Sequence, residues 1–202
     1  MPLEALFRIS TCYAGIGSRI TPRPVLILMG EIAKMLADYG LILRSGGAPG
    51  ADTAFENGCD RRGRKKEIFL PWKRFNNHPS PFFDPPEDAR ILASLCHPNW
   101  TACKSAARKL HARNCQQVVG LNLDDPVDFV LFWAPEENGR VKGGTATAVN
   151  LARRMKIPTF NLWDESTHER WKEEIATHQK RQELFWRRIF SWLGNNESGD
   201  HD

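Results

Sequence analysis

Hydrophobic positions along the chain follow two alternating rhythms. Short apolar runs bounded by turn residues fall at about Arg8–Ala14, Leu41–Leu43, Ile68–Leu70, Phe129–Trp133 and Thr159–Leu162. Runs of that length read as strands buried on both faces. Between them, apolar residues recur at helical spacing. Val25, Leu28, Met29, Ile32, Ala33 and Leu36 form one such stripe, entered through Pro22 and Pro24 and closed by Gly40. Asp52 opens a second helix carrying Ala54, Phe55 and Gly58, and Ala148, Leu151, Ala152 and Met155 mark another. Thr101–Leu121 reads as helix, with a break near His111 left open. Strands alternating with helices at this spacing predict a doubly wound parallel α/β sheet.

Two stretches depart from that alternation. Prolines at 79, 81, 85, 86 and 98 allow only a short helix, around Glu87 to Leu95, between Trp72 and Asn99. A segment of that length in a compact domain reads as a functional loop or a lid. After Asp164, Trp171, Ile175, Phe185, Trp186, Ile189, Phe190 and Leu193 suggest one or two amphipathic helices that pack back on the sheet or dimerise. The expected organisation is an α/β domain over residues 1–163, a helical extension over 164–193, and a polar, disordered tail over 194–202.

Three glycine-rich turns each follow a predicted strand and precede a predicted helix: Ala14–Arg19, Ser45–Asp52 and Lys142–Ala148. In a parallel sheet such turns emerge on one edge. Bare N–H groups and helix N-termini would then line one crevice, a setting that favours phosphate. In the first turn Gly15 and Gly17 permit a close backbone approach, Ser18 offers a hydroxyl, and Arg19 can fork onto phosphate oxygens. In the second, Ser45, Gly46, Gly47 and Gly50 form an extended loop. Asp52 there suits helix capping or a ribose contact, with acid/base work as the weaker reading; Glu56, one turn on, is the other weak catalytic candidate. In the third, Gly143 and Gly144 open a helix, with the hydroxyls of Thr145 and Thr147 beside them.

Composition narrows the options. Net charge is +4, which permits an anionic partner without demanding one. The five cysteines are odd in number with no CxxC, and no secretion signal or membrane span is evident, so a cytoplasmic setting with free thiols is expected. Cys96, His97, Cys103, His111 and Cys115 match no zinc spacing, so the sequence predicts free thiols and surface histidines, with no metal and no cofactor. The seven tryptophans read chiefly as packing residues, with a base-stacking surface as the sharper alternative. The basic run Arg61–Lys66 follows a helix and precedes a strand, which places it at the opposite edge from the glycine turns. A dehydrogenase is disfavoured: Ile20 breaks the GxGxxG pattern, and Arg44 ends the second strand where a ribose-binding carboxylate would sit.

The order of motifs resembles the DprA/Smf-like branch of the SLOG superfamily, Rossmann-like proteins related to the LOG phosphoribohydrolases. Gly17-Ser18-Arg19, Ser45 through Asp52, Arg113-Asn114, and Gly144 followed by Thr147-Ala148 are similar to its motifs, in the same order, over roughly residues 8 to 162. The resemblance implies a Rossmann-like sheet and a crevice that takes phosphate-bearing ligands, with Arg113 and Asn114 joining the site. DprA proteins bind single-stranded DNA, LOG enzymes cleave nucleoside monophosphates, and other members sense nucleotide signals. The LOG catalytic glutamate corresponds to Asn150 here, which cannot ionise, and a helical, tryptophan-rich C-terminal segment is expected in place of the winged-helix tail of many DprA proteins. The expected function is binding of single-stranded DNA or nucleotide phosphates, and the resemblance implies a role in DNA processing or recombination. A nucleotide N-glycosidase and a sensor or sequestering protein for a nucleotide signal stand as alternatives. The expected partner is nucleotide or single-stranded nucleic acid, with no membrane and a homodimer as the assembly.

Overall fold

The two central strands, β1 (Cys12–Gly17) and β4 (Phe129–Trp133), are apolar without alternation because both of their faces are covered. Tyr13, Phe129, Leu131 and Trp133 point to one side, where they pack with Leu28, Ile32, Phe55 and Trp171. Cys12, Ala14, Ile16, Val130 and Phe132 point to the other and meet Cys115, Val118, Ala148 and Val149. The computed structural model, which describes residues 2–196, thus has its two larger cores separated by one sheet.

That sheet has five parallel strands in the order β3-β2-β1-β4-β7, with β2 spanning Ile42–Ser45, β3 Lys66–Ile68 and β7 Thr159–Asn161. Helices α1 (Leu3–Ile9), α2 (Arg23–Asp38), α3 (Ala51–Asp60) and α7 (Glu165–Asn196) supply the first core; α4 (Glu87–Cys96), α5 (Ser105–Val119) and α6 (Ala146–Arg154) supply the second. The architecture is Rossmann-like, with α7 as a C-terminal helical extension. Strand order reverses between β1 and β4. In open α/β sheets the crevice beyond the carboxyl ends at such a reversal is where ligands bind.

Several elements differ in detail from the sequence reading. The segment before β1 is helix α1, whose Leu3, Leu6 and Phe7 are buried. Helix α5 is unbroken at His111. The approach to the third turn is an antiparallel hairpin, β5 (Glu136–Glu137) with β6 (Arg140–Val141). Its tip is Asn138-Gly139, both at positive φ, a turn that hairpins favour. The 72–86 stretch packs behind the second glycine turn: Phe75 is buried with Ala48, Ile68 and Leu70, and Asn76 Nδ2 donates to Gly47 O at 2.9 Å. It buttresses that turn from behind and does not cover the crevice as a lid, one of the two roles that the sequence offers for it.

A single helix, α7, follows Asp164. Trp171 fixes it to the body by packing on Phe7, Phe129 and Phe160. The expected tail falls partly inside this helix, which runs through Asn196; residues 197–202 lie outside the described residues. Of the tryptophans, Trp171 and Trp133 are buried, whereas Trp72, Trp163, Trp186 and Trp192 are exposed, so packing accounts for only part of the set. Among the described residues no helix is long and apolar enough to cross a membrane.

Candidate functional site

Beyond the carboxyl ends of β1 and β4 lies a cavity of about 360 Å³. Ile16, Gly17, Ser18 and Arg19 of the first turn form one wall; Ala48 and Asp52 of the second form another; Gly144 and Thr145 of the third close it. His111, Arg113, Asn114 and Gln117 of α5 make the remaining side. Three segments distant in sequence therefore meet around one space, as a parallel sheet requires.

The first turn is held by its own backbone. Ser18 N donates to Trp133 O (3.0 Å), and Thr21 Oγ1 donates to Ser18 O (2.7 Å). Ser18 Oγ accepts from Ile20 N (3.2 Å), which tightens the bend. Arg19 is exposed at the cavity wall and forms no ion pair among the described residues.

Close contacts bear on two of the glycines of the second turn. A Cβ on Gly50 (φ +91°) would lie 2.9 Å from Ser18 O, so the first and second turns touch through this residue. A Cβ on Gly46 would lie 1.4 Å from Arg113 Nη1, because the guanidinium rests on that backbone. Gly15 is buried within β1, under the Phe55 ring and Leu43. Ser45 Oγ donates to Gly15 O (2.7 Å), so it ties β2 to β1. Gly47 and Gly50 face a separate open groove on the α2–α3 side.

Helix α5 joins the turns. Arg113 Nη1 donates to Asp52 Oδ2 at 3.2 Å, both side chains being at least 95% buried. Asp52 also accepts from Ala48 N, at 3.4 Å, so it pins the loop it follows. Gly50 occupies the N-cap position of α3, with Asp52 in the first turn. Burial pushes the Asp52 carboxyl above its ordinary range although Arg113 and the backbone donors pull it down; burial likewise lowers Arg113. Asn114 Nδ2 donates to Gly144 O at 2.9 Å and so holds the third turn. With its amide oriented to satisfy both partners, Gln117 accepts from Gly46 N (3.0 Å) and Arg113 Nη1 (2.9 Å) and donates to Asn114 (3.3 Å). Sequence reasoning did not single out Gln117; it lies one helical turn past Arg113-Asn114, and that spacing was the available signal.

The remaining candidates sit elsewhere or are engaged. Thr147 Oγ1 bonds His111 Nδ1 at 2.9 Å beneath the cavity wall, and Gly143 and Gly144 open onto empty space. Burial, with His97 and Arg113 nearby, pushes the His111 imidazole down to about 4. Glu56 points into the α2–α3 groove, where Lys66 Nζ (2.7 Å) and His78 Nε2 (2.8 Å) engage it. Asn150 Nδ2 donates to Cys96 O at 3.0 Å. In the basic run, Arg61 pairs with Glu31, Arg62 with Asp38, and Lys66 with Glu56 and Asp60. All five cysteines are free, and burial pushes the Cys12 thiol up to about 12 and Cys59 to about 11. Of the five Cys and His candidates, His97, Cys103 and His111 converge, their ligand atoms all within 4.8 Å of one another, although their sequence spacing resembles no zinc motif.

Comparison with known proteins yields a likeness of fold. No protein-family model and no curated protein sequence matches the chain. Among solved structures, it is similar to DNA processing protein A from Helicobacter pylori, described for its single-stranded DNA binding mode. That match has a TM-score of 0.52 at 19% identity and covers 88% of this chain and 84% of the other. A second similar structure is the molybdenum cofactor carrier protein MCP from Chlamydomonas reinhardtii, with a TM-score of 0.48 at 17% identity, covering 83% of this chain and 86% of that one.

Proposed function

We propose that the cavity seats a phosphate of single-stranded nucleic acid, DNA in the first instance, in the manner of a DprA-like member of the SLOG superfamily. The observation that carries this reading is the meeting of three strand-to-helix turns with Arg19 around one space. Arg113 supplies little free charge because Asp52 neutralises it, and its Nε–H, which has no hydrogen-bond partner among the described residues, is buried. Net attraction comes from Arg19 and from the amino ends of α3 and α6. Trp163, half exposed and packed on Trp133 at the same edge of the sheet, offers a face for a base. The fold shared with a single-stranded-DNA-binding protein supports the same reading.

Binding without turnover fits the engagement of every candidate acid or base. Asp52 is tied to Arg113, and Glu56 to Lys66 and His78. Five unpaired thiols suit a reducing, cytoplasmic setting. A second copy of this chain is the partner we assign to the exposed apolar stripe on α7.

The decisive experiment is fluorescence anisotropy of a labelled oligothymidylate over a range of salt. Affinity should fall steeply, with a log–log slope of about −0.7 per phosphate neutralised. No binding at low salt, or salt-independent binding, would overturn the proposal. A large thermal shift with one small nucleotide and none with the oligonucleotide would favour the sensor reading instead. Release of free base from a nucleotide panel would favour the glycosidase.

A further inference from the structure

The loop between α4 and α5 folds back so that His97 and Cys103 face His111 on α5. The His97 and His111 ring centroids are 4.2 Å apart, and Cys103 Sγ lies 3.8 Å from both ring nitrogens of His97. In a tetrahedral zinc site, with Zn–S of ~2.3 Å and Zn–N of ~2.0–2.1 Å, the sulfur and nitrogen ligands stand about 3.5 Å apart. The observed separations are within an ångström or so of that figure. From these three side chains we infer a binding site for a borderline divalent metal, Zn²⁺ by ligand type, on the wall of the cavity.

The surroundings suit the role. Thr147 Oγ1 bonds His111 Nδ1 at 2.9 Å, which leaves Nε2 as the ligand nitrogen and fixes the ring. Trp100 packs edge-on against both imidazoles and limits water. The thiolate and two imidazoles form a donor set that selects zinc-like metals over magnesium or calcium. Loading the site has one local cost: Asn99 N–H donates to His97 Nδ1 (3.1 Å), and Cys103 Sγ–H points at Asn99 O (3.5 Å). Both contacts belong to the same turn, so metal replaces two weak ties of Asn99 with two metal–ligand bonds. With three protein ligands, the fourth position is left for water or an anion, the arrangement of zinc sites that keep an exchangeable ligand. His111 lines the cavity and closes this cluster, so the metal would lie beside the phosphate crevice. The metal site does not depend on the nucleic-acid reading.

The test uses the whole chain, reduced and chelator-treated, titrated with Co²⁺ alone. One equivalent should produce a thiolate-to-cobalt charge-transfer band and the intense visible bands of four-coordinate cobalt, both displaced by Zn²⁺. Cys103→Ala should abolish the charge-transfer band. His97→Ala, at a half-buried loop position that leaves the cores intact, should weaken binding at least about 100-fold. Thr147→Val should keep the band and weaken affinity about 10–100-fold, the range for loss of a supporting partner. Absence of the charge-transfer band in the unaltered protein, or its persistence in Cys103→Ala, would overturn the assignment.

Discussion

Arg19 and Arg113 flank the same crevice but answer to different forces. Arg19 is solvated and unpaired among the described residues, so its charge is available to an incoming phosphate. Arg19→Ala should weaken oligonucleotide binding about tenfold or more, the worth of one charge-assisted hydrogen bond, and flatten the salt slope by about 0.7. Anisotropy titrations at several salt concentrations would measure both, with the fold unaffected. Arg113 is a strut. Removing its partner with Asp52→Asn strands a guanidinium that is 5% exposed, and urea unfolding should report a loss of about 3–5 kcal/mol. Asp52→Asn combined with Arg113→Met should recover part of that loss, since no buried charge is left unmatched. Glu56 sets an acid limit on stability. Burial alone would raise its carboxyl, but the hydrogen bonds from Lys66 and His78 outweigh that and hold it below its ordinary 4.5. The unfolded chain therefore binds the proton more readily than the folded one. This contribution is complete above pH 4.5 and drains away as pH falls through the lowered folded value. Urea midpoints measured between pH 3 and 6 should show that acid-side decline, and Glu56→Gln should flatten it.

Among the elements, contact between turns decides geometry more than any single turn does. Gly50→Ala would force a positive-φ residue against Ser18 O, at a cost of about 1–3 kcal/mol and with the first wall displaced; thermal unfolding and oligonucleotide affinity should both fall. That contact was not legible in the sequence. Strand β4 was, because Phe129–Trp133 is apolar throughout and bounded by polar residues, and so was α4 after its two prolines. Helix α1 was missed because seven residues hold too few periods to declare an amphipathic face. The β5–β6 hairpin was missed because Asn138-Gly139, a strong turn signal, sits between strands of only two residues each. The three glycine turns were visible from their positions after strands, but not the division of labour within them. Ser45 and Gly46 look like ligand groups in one dimension, yet in three they hold β1 and accommodate Arg113. The histidine–cysteine cluster was invisible for a related reason: its ligands come from a loop and a helix whose approach no local spacing encodes.

Considered whole, the molecule is a closed body with one open limb. Trp171 and Ile175 seat the first part of α7 in the core, and His178 and Gln182 reach Asp38 on α2. Beyond that, Leu184, Phe185, Trp186, Phe190, Trp192 and Leu193 are about half exposed or more. Ring contacts join Phe185, Trp186 and Phe190 into one exposed apolar patch, on which we propose that a second copy of this chain docks. Sedimentation equilibrium should show a dimer, and Trp186→Ser with Phe190→Ser should return the monomer with unchanged near-body stability. A monomer at every concentration would remove the second copy from the proposal.

Arg113, Asn114 and Gln117 reach two different loops from a single cylinder. An extra residue inserted ahead of them inside Ser105–Val119 would rotate all three by roughly 100° about the axis and release both loops together. Lengthening the chain at Gly139, where an added Cβ would meet nothing within 4 Å and where the tie from Arg153 Nη1 to Gly139 O (2.9 Å) involves none of the three, would disturb none of them. Sequence length is therefore rigidly constrained along this cylinder and free at the hairpin tip, so natural variants of this fold should gather their insertions at the tip and keep α5 at constant length.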